Sequence, residues 1–147
     1  MTGDDVIAEA RRHIGVKYRH QGRSLALSVD CIGFVGCVGV ALGVPGAAAW
    51  LADSRFTGYG RAPDSSMAYR ACAEYLRPIF PKEDARVGDI LFLRFEKEPQ
   101  HFAFVSSVDG VPYMIHAYAQ VRRVVENRID ELWRSRIVCA YRFPGVE

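Results

Sequence analysis

The chain has 147 residues, half of them hydrophobic, which is enough to build the core of one domain spanning residues 1–147. Its 19 basic and 17 acidic residues leave a net charge of +2, which points to neither nucleic acid nor an acidic membrane surface as a partner. No apolar run reaches transmembrane length, so no membrane insertion is expected, and the acidic start "MTGDDVIAEARRHIG" has no apolar signal core, which implies synthesis in the cytoplasm without a signal peptide.

Thr2 is placed to cap a first helix, with Asp4 and Asp5 favourable at its positive end. Val6, Ile7, Ala10 and Ile14 give that helix one apolar stripe, and Gly15 stops it. "VKYRHQGRS" is a polar loop. "SVDCIGFVGCVGVALGVP" then predicts an apolar helix from about Asp30 to Leu42, closed by Gly43 and Pro45. Residues 46–63 read as irregular. Asp64 is placed to cap a helix over "SSMAYRACAEYL", which must end near Pro78. Strands are expected at 88–95, 101–108, 111–118, 121–126 and 138–143, with a short helix or turn at "RIDELWRS". Helices first and an antiparallel sheet afterwards define an α+β domain. With no signal segment, Cys31, Cys37, Cys72 and Cys139 are expected as free thiols.

Cysteine in an apolar helix is usually an inert small hydrophobe, and Cys37, Cys72 and Cys139 fit that description. Cys31 differs by position. It falls in the first helical turn, where unpaired backbone N–H groups favour the thiolate. Gly33, Gly36 and Gly39 form a row of small residues that lets the helix pack close to a neighbour and hold its start rigidly. A Cys31–Cys37 disulfide would have to bridge about 9 Å of helix, beyond its reach. The cysteine and histidine spacings match no zinc motif, so no metal and no cofactor are expected.

A thiol nucleophile needs a base, and the base an orienting group. His13 lies on the first helix and His20 in the polar loop; both read as ordinary surface residues. His101 and His116 lie on consecutive strands joined by "VDGV", a strong hairpin signal. If Asp109 and Gly110 form the loop, Val108 pairs with Val111 and, counting outward, Ala103 with His116. His101 and His116 then share one face as diagonal neighbours, while Phe102, Phe104, Tyr113, Ile115 and Ala117 share the other. Two histidines on one face, in a chain with a cysteine at a helix start, point to catalysis.

"VDCIGFV", "VGDILFL", "HFAFVSSVDG" and "MIHAY", in that order, resemble the motifs of the NlpC-type family of papain-like cysteine endopeptidases, which cut bacterial cell-wall peptides. The likeness runs from about Val6 to Pro144. It implies a papain-like fold in which N-terminal helices, including the nucleophile helix, pack on an antiparallel sheet of about five to six strands. It makes Cys31 the nucleophile, His101 the general base and later acid, and His116 the group that orients His101. Tyr18 matches a family tyrosine beside the nucleophile, near the oxyanion. Asp30 matches an aspartate associated with recognising a free amine on the peptide stem, and without the resemblance it would simply be an N-cap. Ile32 stands where the family has serine, and Ala103 where glycine is common.

The implied reaction is thiol hydrolysis of a peptidoglycan stem-peptide amide, at the bond from γ-D-glutamate to a diamino acid, through an acyl-enzyme. "YRHQGR" and "AYRFP" resemble the branch found among phage tail assembly genes and prophages, which makes phage tail proteins expected partners. A virion, or lysis, would then carry a protein without a signal peptide to the wall. The alternatives are a tail-assembly module with little activity, and thiol-dependent amide transfer on the same fold.

Overall fold

The first helix forms where its cap allows. In the computed structural model, which describes residues 1–57, 65–95 and 99–147, Thr2 and Asp5 form a capping box at the start of α1 (Gly3–Arg11). Val6, Ile7 and Ala10 are buried, but α1 ends before Ile14, which is 46% exposed rather than on the expected stripe. Gly15 takes left-handed backbone (φ 95°) and its N–H donates to the Val124 carbonyl, so the chain has already left the helix to meet the sheet. The loop that follows carries a two-stranded ribbon, β1 (Arg23–Ser24) and β2 (Ser28–Val29), and Tyr18 bridges Val29.

The apolar helix is α2 (Cys31–Ala41), and every residue from Cys31 to Gly39 is buried. Its glycines allow this. A Cβ at Gly33 would lie 2.0 Å from the Gly22 carbonyl oxygen, and one at Gly36 would lie 2.4 Å from Leu51. Part of the stretch expected to be irregular is helical: α3 (Ala47–Ala52) and α4 (Ser54–Thr57). Ala47, Ala48 and Ala49 are strong helix formers. Trp50 fixes α3 by burying its ring and donating its indole N–H to the Ile32 carbonyl at 3.0 Å. Residues 58–63 of that stretch, and the expected Asp64 cap, lie outside the described residues.

After α5 (Ser65–Tyr75) the chain forms β3 (Arg77–Ile79), β4 (Ile90–Arg94), β5 (Pro99–Val108), β6 (Val111–Tyr118), β7 (Arg123–Arg128), α6 (Glu131–Arg136) and β8 (Ile137–Arg142). All adjacent strands are antiparallel, in the order β3-β8-β4-β5-β6-β7. The expected strands are present with shifted ends, and β3 is an addition. It contains Pro78, which a sheet tolerates because β3 is an edge strand. Asp109 and Gly110 both have positive φ (52° and 77°), as a two-residue hairpin loop requires, and Val108 pairs with Val111 as expected.

Both faces of the sheet are covered. Phe102, Phe104, Ile115 and Ala117 join the core under α2, while Tyr113 stays half-buried. The opposite face buries Leu91, Leu93, Ala103, Val105 and Met114 under Ile129 and Trp133. Among the described residues no helix is long and apolar enough to cross a membrane.

The tight seat of α2 sets the first prediction. Gly33→Ala gains about 1 kcal/mol of helix propensity. It also forces backbone apart at the Gly22 carbonyl, at an overpacking cost of about 1–3 kcal/mol that rises where rigid backbone must move. Urea unfolding should show net destabilisation for Gly33→Ala, and a change within about 0.5 kcal/mol for Val40→Ala on the exposed side of α2.

Candidate active site

Asp30 caps α2 from extended backbone (φ −97°, ψ −173°). Its Oδ1 accepts the Gly33 N–H at 2.7 Å and the Arg23 Nη1–H at 2.6 Å, and its Oδ2 accepts the Gln21 N–H at 2.9 Å. The carboxylate expected to meet a substrate amine is therefore already engaged by the cap, the loop and an arginine. Nε and Nη2 of Arg23 are buried without a hydrogen-bond partner among the described residues.

The cap delivers Cys31 to the sheet. Its thiol donates to the Gln100 carbonyl at 3.8 Å, and the Phe102 N–H is directed at the sulfur. Gln100 and Phe102 are the two chain neighbours of His101. Pairing between β5 and β6 runs from Val108 with Val111 to Phe104 with Ile115 and goes no further. The backbone groups of Gln100 and Phe102 that would continue that ladder face the sulfur instead.

His101 projects from β5 and His116 from β6, both buried on one face as the hairpin register predicts. His101 Nε2 lies 2.7 Å from His116 Nδ1. His116 Nε2 lies 2.5 Å from Oδ1 of Asn127 on β7, and Asn127 Nδ2 donates to the Arg128 carbonyl at 3.1 Å. Aromatic rings enclose the pair: Phe95 lies 5.0 Å from His101, Tyr118 is stacked 5.0 Å from His116, and Trp133 meets His116 edge-on at 5.4 Å. The Arg136 guanidinium covers Trp133 from 5.0 Å.

This enclosure decides the charge state. Burial, reinforced by Asp30, pushes the Cys31 thiol up to about 12, against the opposing pull of the Phe102 and Ile32 N–H groups and of Arg23. Burial and then His116 hold His101 well below the ordinary histidine value, and burial pushes His116 down to about 4. The helix start is expected to favour a standing thiolate; in the buried site desolvation pushes the thiol the other way, against the first-turn N–H groups. Both shifts run towards the uncharged forms, of the thiol and of the imidazoles. Tyr18 belongs to the same cluster; burial first, then Cys31 and Asp30, push its phenol up to about 12, so it keeps its proton and remains a donor. Chemically, the site gathers a thiol at a helix start, a chain of two imidazoles and an amide, and a protonated phenol, the group types from which a thiol hydrolase can be built.

His13 and His20 stay outside. His13 lies in the turn after α1, not on the helix as expected, and bonds Glu9 at 3.0 Å; His20 is exposed in a turn. Cys37 donates to the Arg23 carbonyl, and all four cysteines are free. Sequence reasoning missed Asn127, Arg23 and the aromatic cover. Alternation along β7 could have found Asn127, which faces Met114 and so shares the His116 face.

No protein-family model matches the sequence, and no curated protein matches it. The structure is similar to the NlpC/p60 domain of the peptidoglycan hydrolase SagA, with a TM-score of 0.60 and 22% identity over 96% of this chain and 98% of that one. It is similar to an NlpC/P60 family protein from Bacillus cereus, with a TM-score of 0.67 and 22% identity over 97% of this chain but 40% of that one. A third similar structure is an N-acetylmuramoyl-L-alanine amidase from Bacteroides uniformis, with a TM-score of 0.61 and 12% identity over 96% of this chain and 98% of that one. At these identities the likeness defines the fold: papain-like, of the NlpC/p60 type, with helices packed on a six-stranded antiparallel sheet.

The buried histidines make stability pH-dependent. Their folded pKa values lie below the unfolded value of about 6.5, so the unfolded chain binds protons first as pH falls. The histidine contribution to stability should be level well above pH 6.5 and decline as pH falls through that value. His116, pushed down to about 4, accounts for up to about 3 kcal/mol of that loss by pH 4. Urea midpoints between pH 7 and pH 4.5 should fall steeply for the wild type and less steeply for His116→Asn. Parallel slopes would contradict the assignment.

Proposed function

We propose that the protein is a cysteine hydrolase that cuts an amide bond in peptidoglycan stem peptides. The observation that carries this reading is the seating of the Cys31 thiol against the backbone on both sides of His101, with His101 bonded to His116 at 2.7 Å. The NlpC/p60 fold supports it, because SagA, whose NlpC/p60 domain has that fold, is a peptidoglycan hydrolase.

In the proposed reaction Cys31 Sγ attacks the scissile carbonyl as its proton passes to His101, so no standing thiolate is needed. The Tyr18 hydroxyl and the N–H groups of the first turn of α2 receive the oxyanion. The C–N bond breaks, the amine leaves with the proton from His101, and a thioester remains on Cys31. Water then attacks the thioester, His101 takes a proton from it, and the thiol is restored. The favoured bond is the one from γ-D-glutamate to the diamino acid; the ordered motifs around Cys31, His101 and His116 are its support. A substrate amine that sought Asp30 would have to displace Arg23. Delivery by a phage tail rests on the phrases "YRHQGR" and "AYRFP" alone.

The test is product analysis by mass spectrometry after incubation with purified peptidoglycan and with a defined tripeptide of L-alanine, γ-D-glutamate and a diamino acid. Wild type should release the diamino acid, and Cys31→Ala should release none. His101→Ala should lose roughly 1,000-fold in rate. His116→Asn keeps an acceptor for the His101 N–H and should retain more activity than His116→Ala, with both above His101→Ala. Incorporation of an added amine instead of water would mark the enzyme as a transferase. Unchanged products from Cys31→Ala would overturn the proposal.

A further inference from the structure

We propose that Asn127 is a positioning residue that sets the proton order of the two histidines and leaves His101 Nδ1 as the basic atom of the site. The inference rests on the catalytic reading above for its purpose, but not for its geometry.

The order starts at the backbone. Asn127 Nδ2 donates to the Arg128 carbonyl at 3.1 Å, which fixes the orientation of the amide and turns Oδ1 towards His116. An amide oxygen only accepts, so His116 Nε2 must carry a proton to meet it. A neutral imidazole holds one ring proton, and burial keeps His116 neutral near pH 7. Its Nδ1 is then a bare lone pair. That lone pair lies 2.7 Å from His101 Nε2, so the donor in this bond is His101. His101 is neutral as well, and its single proton is now committed to Nε2. Nδ1 remains unprotonated, as a general base must be.

The reverse order fails at each end. A proton on His116 Nδ1 would leave His116 Nε2 bare against Oδ1, setting two acceptors against each other in a buried site. It would also require His101 Nε2 to be bare, with the His101 proton on Nδ1, where it could not accept the proton of Cys31. The aromatic rings of Phe95, Tyr118 and Trp133 offer no strong acceptor to rescue that arrangement. Asn127 is partly exposed at the sheet edge, so a substitution there leaves the two cores intact.

The experiment is a long-range proton–nitrogen correlation spectrum of uniformly nitrogen-15-labelled protein at pH 7, which reports the protonated nitrogen of each imidazole. Variants at His13 and His20 complete the assignment. In wild type, His101 and His116 should both show the Nε2–H tautomer. Asn127→Ala, with its fold checked by circular dichroism, should give His116 as a tautomer mixture and remove the single tautomer of His101. Its kcat should fall roughly tenfold with KM little changed, as losses of outer hydrogen-bond partners do. Asn127→Asp keeps an acceptor oxygen and should restore the proton on His116 Nε2. A wild-type spectrum with His101 protonated at Nδ1, or an Asn127→Ala spectrum unchanged from wild type, overturns the inference. The expected spectra together with full activity in Cys31→Ala would sustain the proton order and overturn the catalytic reading instead.

Discussion

The two-residue turn at Asp109 and Gly110 is the constraint on which the rest depends. Side chains on a strand alternate, so the turn length alone decides which face each residue joins. With this turn, Phe102, Phe104, Ile115 and Ala117 meet α2, while His101 and His116 meet each other beneath Trp133. A slip of one residue on either strand would send a histidine into the aromatic core under α2 and a phenylalanine or isoleucine to the other face. Left-handed backbone at both turn positions makes that slip costly, and glycine at the second lowers the strain of the observed register.

On that frame the site is assembled by desolvation. The small residues of α2 let its first turn sink against the Gly22 backbone, and Asp30 closes the turn from outside. Cys31 is thereby pressed into the place where the ladder between β5 and β6 ends. The same burial that fixes the sulfur raises its pKa, and the aromatic cover lowers those of both histidines. All of these shifts favour the uncharged forms. In the proposed reaction charge would separate only as the carbonyl is attacked, when the first-turn N–H groups gain an oxyanion to stabilise.

What the sequence disclosed follows from which features are local. Helix α2, its Asp30 cap and the hairpin register depend on residues near one another in the chain, and all were legible. So was the meeting of His101 with His116, because it follows from counting along two paired strands. The upward push on the Cys31 thiol was not legible: the helix start is a local feature, but the burial that opposes it involves β5. Asn127 lies one residue past the fourth expected strand, which stops at Glu126, while β7 continues to Arg128. The aromatic cover required knowing that α6 returns over the sheet, which no spacing within "RIDELWRS" encodes. Short α3 was signalled by its alanines, but its position is secured by the Trp50 bond to α2, a tertiary contact.

The central claim is that Cys31 carries the acyl group through the reaction. Rapid acid quench of the wild-type protein mixed with a stem peptide, followed by mass spectrometry of the intact protein and its proteolytic fragments, tests it most directly. The predicted result is a transient mass increase equal to the acyl half of the substrate, confined to the fragment containing Cys31 and reversed by hydroxylamine as a thioester should be. Product formation with no adduct at any time, or an adduct on Cys37, Cys72 or Cys139 in place of Cys31, would contradict it.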